Sequence, residues 1–344
     1  MQQAAIDFVI AWVDGGNEAW NAQKEEYLNM PQQRKAAEYG IIDAGESRYR
    51  DWNMLHYWFR AVEKYAPWVN RVHFITDEQV PRWLNTEHPK LHIVKHRDYM
   101  PAEYLPTFSS HPIELNMHRI EGLAEQFVYF NDDFFLTAPV KPEDFFVNGL
   151  PCDSLMESPV SCDNSEIWNY VRVNDTAFIN RHFCRAQLKK QQLSRWFSLK
   201  CPRALVKNLV MSFERRSTFF GLHIHHLPQP YLKSVLQEVW ELEPQLLHET
   251  SMHKFRDIRD VSQYIFKHYQ QLSWKFHPYS VERSGHAFCG LWDPAQAAQA
   301  IETGKYKMIC LNDGPQLDYE AAKSAVLGAF EKTLPQPSAF EKPL

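Results

Sequence analysis

The chain has 344 residues, 44% hydrophobic and 23% charged, with a formal net charge of −5. That length can bury a substantial core as one large domain or two modest ones, and the composition is that of an ordinary globular chain. The negative balance excludes a global positive field that would gather nucleic acid, so an anionic substrate must be met by locally placed Arg, Lys, metal or helix N-termini.

The first apolar run, Asp7 to Val13, is short and β-branched and stops at Asp14-Gly15-Gly16, which predicts a buried strand entering a turn. From Asp51 the period becomes helical through Trp52, Leu55, Trp58, Phe59 and Val62, with Pro67 as the stop. Arg71 to Thr76 and Leu91 to His96 read as strands, separated by a short turn or helix at Val80 to Leu84. Ser110 to Leu123 reads as a helix and Phe127 to Asn131 as a fourth strand. This alternation predicts an α/β layer with a largely parallel sheet, whose ligands bind beyond the carboxyl ends of the strands. Asp14 and the triplet Asn131-Asp132-Asp133 stand at such ends. Further on, Leu232, Val235, Leu236, Val239 and Trp240 form one helical stripe, and Val261, Tyr264, Ile265, His268, Tyr269 and Leu272 another, both read as core. The stretch from Leu334 to Leu344, with three prolines and little periodicity, reads as a flexible tail.

No apolar run reaches the ~18 residues of a membrane span, and Met1 to Ile6 lacks the start of a secretory signal. Six cysteines without a Cys-x-x-Cys pair argue for reduced thiols and a cytoplasmic chain. Cys152, Cys162, His182 and Cys184 are too irregularly spaced to favour a zinc site.

Four places can carry chemistry. Asp132 and Asp133, wedged between apolar runs, call for a partner, and a hard divalent cation is the usual one; the alternative is a capped turn plus an Arg pair. In His223-Ile-His-His226, alternating side chains on an extended chain face opposite ways, so His226 alone, or His223 with His225, can face one site. A neutral imidazole there suits a general base toward an alcohol. Arg256, in His253 to Arg259, offers a planar fork for a phosphoryl group, or belongs to an exposed charge cluster. Met308 to Gly314 repeats the apolar-run-then-Asn-Asp layout at Asn312-Asp313, for which an Asx turn is the alternative.

Together these segments resemble the Stealth family of phosphotransferases. The family contains bacterial capsule and surface-polysaccharide hexose-1-phosphate transferases and the animal lysosomal-enzyme N-acetylglucosamine-1-phosphotransferase. Four blocks occur in order: Ile6 to Gly15; Arg48-Tyr-Arg-Asp-Trp52 through Lys64 to Val69, Leu105 to Ser110 and Ile113 to Ile120 to Tyr129-Phe-Asn-Asp-Asp133; His226-Leu-Pro228; and Cys310-Leu-Asn-Asp313. Gly16-Asn17 departs from the family's commoner Asp or Ser, and Asp153 to Val210 carries no block.

The fold expected is α/β, a mostly parallel Rossmann-like (GT-A-like) sheet with a helical C-terminal portion. One catalytic domain is expected over 1–333, its α/β part at about 1–150 and its more helical part at about 151–333, followed by the tail. The resemblance implies transfer of a sugar 1-phosphate from a UDP-sugar, UDP-N-acetylhexosamine among the candidates, to a hydroxyl of a glycan or lipid-linked glycan, with release of UMP. It implies His226 as base, Arg256 as phosphoryl clamp and Asp133 as metal-linked or base-supporting carboxylate. Asp132, Asp133, Asn312 and Asp313 are candidate ligands for Mg²⁺ or Mn²⁺, and Asp14, Gly15, Arg119 and Asn131 candidate donor contacts. The location expected is cytoplasmic, or peripheral at the inner face of the cytoplasmic membrane. A conventional glycosyltransferase releasing UDP and a glycan-binding module with a decayed site are the competing readings.

Overall fold

The structure is a computed structural model that describes residues 4–45, 48–163, 166–281, 286–290, 293–313 and 318–343. Its centre is a five-stranded sheet with Ile6–Ala11 in the middle. That strand pairs in parallel with Val72–Thr76 on one side and Gln126–Phe130 on the other. Leu91–Lys95 continues the sheet in parallel beyond Val72–Thr76, and Gln229–Leu232 closes the opposite edge antiparallel to Gln126–Phe130. The strand order is that of half a doubly wound sheet with an antiparallel edge.

Both faces are covered, so Phe8, Val9, Ile10, Val72, Phe74, Ile75, Val128 and Phe130 have no measurable exposure. That is why these strands read as continuous apolar runs rather than as an alternation. The helix Leu55–Tyr65 buries six side chains and packs Trp58 on Phe130, ring centres 5.4 Å apart. Trp68 and Phe145 meet Phe8 edge-on, each at 5.6 Å.

The helix expected at Ser110 to Leu123 is shorter, spanning Ser110–Leu115 and followed by the 3₁₀ turn Met117–Arg119. Asn116 is the cause. Its side-chain amide donates back to the Pro112 carbonyl at 2.8 Å and to Ser251 Oγ at 3.1 Å, offering the backbone a competitor to further helix.

A second, three-stranded sheet joins Phe134–Leu136, Met308–Asn312 and His286–Gly290. It brings Asp133 and Cys310 together from 177 residues apart, with Leu311 N donating to the Asp133 carbonyl at 2.8 Å. The helices Lys233–Leu242, Pro244–Met252, Tyr264–Leu272, Pro294–Thr303 and Tyr319–Thr333 make the remainder predominantly helical. Among the described residues no helix is long and apolar enough to cross a membrane.

The tail expected to be flexible is instead docked. Phe340 is buried, with its ring 5.2 Å from Phe59 and 3.9 Å from His88. Arg60 grips Glu341 with two nitrogens at 2.8 and 2.9 Å, and Asn85 N donates to the Phe340 carbonyl at 2.8 Å. An irregular strap has no period to detect, so the absence of periodicity gave no sign of its burial.

Candidate active site

Two adjacent parallel strands, Ile6–Ala11 and Gln126–Phe130, deliver their carboxyl ends side by side, and the loops that follow carry Asp14 and Asn131 to Asp133. Gln79 fixes the first loop, accepting from Asp14 N at 2.8 Å and donating to the Asp14 carbonyl at 3.2 Å. One Asp14 carboxylate oxygen accepts from Gly16 N at 2.9 Å, closing an Asx turn. Gly15 is required by close approach, because a methyl group there would meet the Tyr49 carbonyl oxygen at 1.6 Å. Gly15→Ala should therefore displace the segment around Tyr49 and cost about 1–3 kcal/mol of stability, the usual range for overpacking, measurable by denaturant unfolding. A variant as stable as the parent would show that the loop yields freely.

Beyond the strand ends lies a cavity of about 130 Å³. Trp12, Trp20, Tyr49 and Phe108 contribute aromatic wall, and Arg48, Arg256, Ser110 and Asp132 the polar wall. Phe255 is buried and stacks on Phe108 at 5.3 Å, which anchors the two-residue strand Arg256–Asp257. Register against Ile42–Asp43 sets Arg256 opposite Asp43, whose carboxylate holds Arg48 at 2.7 Å. Arg256 Nη2 donates to Ser110 Oγ at 3.0 Å. Burial first, and then the neighbouring Arg48 guanidinium, lower the proton affinity of Arg256. Two guanidiniums that repel each other at one wall form a place for an anion. Arg259, quoted beside Arg256 in the sequence, is spent on its own Asp257 at 2.7 Å.

The acidic side of the cavity is strained electrostatically. Asp132 reaches solvent, yet it is hemmed in by protein, and this crowding, then Asp133 and Asp51, pushes its carboxyl up to about 7. Asp51 is itself raised by burial and by Asp14. Asn131 Oδ1 and Asp133 Oδ1 are buried and find no hydrogen-bond partner among the described residues. Orphaned oxygens beside carboxylates that repel one another fit a hard divalent cation.

On the other flank of the same triplet stands His226. Its Nδ1 lies 2.9 Å from the Tyr264 hydroxyl and its Nε2 lies 3.7 Å from Asp133 Oδ2. The Phe134 ring meets the imidazole edge-on at 4.9 Å, fixing its plane. The Cys310 thiol donates to Asp133 Oδ2 at 3.3 Å. Burial, and then nearby negative charge including Cys310 and Asp133, raise the Tyr264 hydroxyl well above its usual value, so it stays protonated. In the tautomer in which Nδ1–H donates to that hydroxyl, Nε2 carries the lone pair and faces the carboxylate across a gap wider than a hydrogen bond. His223 and His225 face elsewhere, their rings 4.6 Å apart, with His225 at 3.2 Å from Ser154 Oγ.

The structure thus gathers Asn131, Asp132, Asp133, His226 and Arg256 around one triplet, with Asp14 and Gly15 on the neighbouring loop. Asn312 and Asp313 follow the adjoining strand. Asn312 donates to the Asp313 carbonyl at 2.8 Å, and the Asp313 carboxylate meets Arg50 at 3.2 Å. Gly314, quoted with that turn, lies outside the described residues. Arg119 is not brought to the cavity wall: its guanidinium lies 4.9 Å over the Trp240 ring and bonds Asn116. Cys152, Cys162, His182 and Cys184 are not gathered either. The donor atoms that converge within 4.8 Å among the described residues belong to Asp133, His226 and Cys310. Arg48, Asp51, Tyr264 and Cys310 were missed as site residues. Arg48, Asp51 and Cys310 lie inside quoted blocks, whereas Tyr264 sits on an apolar helical stripe and gives no local signal.

Residues 48–152 match the family model described as Stealth protein CR2, conserved region 2. The chain is 38% identical over 340 residues to the capsular polysaccharide phosphotransferase WcwK of Streptococcus pneumoniae, covering 98% of each. It is also 38% identical to the receptor polysaccharide phosphotransferase WefC of Streptococcus oralis, over 98% of this chain and 99% of that one. Among solved structures, the bifunctional glycosyltransferase WbbM aligns with 97% of this chain and 50% of its own, at 10% identity and a TM-score of 0.39. On its near-full-length identity to polysaccharide phosphotransferases, the chain belongs to the Stealth family, as a phosphotransferase of polysaccharide synthesis.

Proposed function

We propose that the chain transfers a sugar 1-phosphate from a UDP-sugar to a hydroxyl of a glycan or lipid-linked glycan, forming a phosphodiester and releasing UMP. The observation that carries this reading is the 3.7 Å gap between His226 Nε2 and Asp133 Oδ2, beside a wall that holds Arg256 and Asp132. An acceptor hydroxyl placed beside that pair, within hydrogen-bond reach of Nε2, gives its proton to Nε2 as its oxygen bonds to the β-phosphorus. The bond from that phosphorus to the bridging oxygen breaks, and UMP leaves with the electron pair. Asp133 stabilises the imidazolium, and the Tyr264 hydroxyl holds the ring in the useful tautomer. Arg256, aimed by Ser110 and backed by Arg48, binds the transferred phosphoryl group.

Mg²⁺ or Mn²⁺ fits the orphaned oxygens of Asn131 and Asp133 and the raised carboxyl of Asp132, and when bound would neutralise the diphosphate. Asn312 and Asp313 would supply outer contacts, the latter through Arg50. The proposed location is the cytoplasm, with access to the membrane's inner face. The test is nucleotide analysis of reactions with a panel of UDP-sugars, UDP-N-acetylhexosamines first, with and without acceptor glycan. UMP as the product is expected, abolished by EDTA and restored by Mg²⁺ or Mn²⁺. Release of UDP would show breakage at the anomeric carbon instead, and full activity in chelated enzyme would remove the metal from the mechanism.

A further inference from the structure

The segment that carries no family block, within Asp153 to Val210 and running on to Arg216, has a surface unlike the rest of the molecule. Six of the eleven exposed large hydrophobic side chains among the described residues cluster here: Leu193, Leu199, Val206, Leu209, Val210 and Phe213. Phe213 is 89% exposed and Leu199 is 84% exposed. The helix Pro202–Met211 presents the wrong face to water for a globular protein. Its buried positions are Ala204 and Asn208, one turn apart, while Val206, Leu209 and Val210 point outward on the opposite side. Asn208 locks this orientation, donating to the carbonyls of Leu155 and Trp196 at 2.9 and 2.8 Å and accepting from Glu157 N at 2.8 Å.

Charge follows the same boundary. From Lys189 to Arg216 there are eight Lys or Arg and one acidic residue, Glu214, in a chain whose net charge is −5. Lys190, Lys200, Arg203, Lys207, Arg215 and Arg216 are exposed among the apolar tips. A protein–protein interface core is depleted in lysine, whereas an interfacial helix combines apolar tips with a lysine and arginine rim.

We propose that this face, centred on the helix Pro202–Met211 with Leu199 and Phe213 as its wedges, docks the enzyme on an anionic lipid bilayer. The apolar tips enter the headgroup boundary, and the basic residues meet the lipid phosphates, each adding attraction that salt screens. The inference stands apart from the chemistry at His226 and holds whichever sugar is moved.

The experiment is co-sedimentation of the full chain with phosphatidylcholine vesicles that contain or lack phosphatidylglycerol, at low and high salt. Binding is expected only with phosphatidylglycerol, and weaker at high salt. The double variant Leu199→Ser, Phe213→Ser should bind at least about tenfold more weakly, the loss expected for apolar side chains kept in water. Lys207→Gln should weaken binding about fivefold, one basic residue's share of the attraction. Both variants should melt like the parent, because the residues are exposed. No binding to either vesicle, equal binding to both, or unchanged binding by the double variant overturns the proposal. So does self-association in sedimentation velocity that the same variants abolish, since that assigns the face to a second copy of the chain.

Discussion

Replacing His226 by alanine is expected to reduce turnover about 10²–10⁴-fold, the usual share of a lost general base, with little change in donor affinity or melting temperature. The imidazole is a third exposed and touches Tyr264, Phe134 and Asp133 at the edge of the site rather than within the core. Its removal leaves the polar wall at Arg256 and Asp132 untouched, so the donor keeps its contacts. Transfer rate, UDP-sugar affinity and melting temperature, measured on one preparation, check this. Unchanged UMP release would remove His226 from the mechanism, and an unfolded variant would make the imidazole structural.

Arg256→Lys is expected to be severe as well, lowering kcat by about 10²–10³-fold, as when an oxyanion donor is lost. The Arg256 fork donates one arm to Ser110 while the other remains for the ligand, and it stands beside a second guanidinium at Arg48. A lysine keeps the charge but concentrates it on one atom, so it cannot hold Ser110 and two phosphoryl oxygens in one plane. Initial rates over a range of donor concentrations separate kcat from KM. Activity within a few fold of the parent would show that Arg256 acts as charge alone.

The central strands were legible because burial on both faces writes a short apolar run, as in Ile6–Ala11, Val72–Thr76 and Gln126–Phe130, whereas the half-buried Leu91–Lys95 showed itself through Ile93 and Val94. The edge strand Gln229–Leu232 was not, since it holds a proline and is short. Pro230 lies opposite Val128, at the rim where a missing donor is tolerated. Met308–Asn312 declared itself as an apolar run, but its pairing with Phe134–Leu136 is antiparallel across the whole length of the second half, which no local pattern encodes. The same limit governs the site. Asp133 stands out in the sequence by type and setting, whereas His226 and Arg256 are singled out by the family resemblance. Cys310 and Tyr264 enter only because strand pairing and helix packing bring them there. Arg119 shows the converse: a guanidinium inside a quoted block that folding turns onto an indole.

The strap that ends in Phe340 and Glu341 also orders events during synthesis. Glu341 leaves the ribosome 281 residues after Arg60, the residue it clasps. At about 5–20 residues per second, the helix Leu55–Tyr65 waits tens of seconds for that cover. Throughout that interval Phe59 lacks its outer neighbour, and the nascent chain carries an adhesive aromatic spot. Apolar surfaces that the nascent chain meets before then compete with Phe340 for that spot.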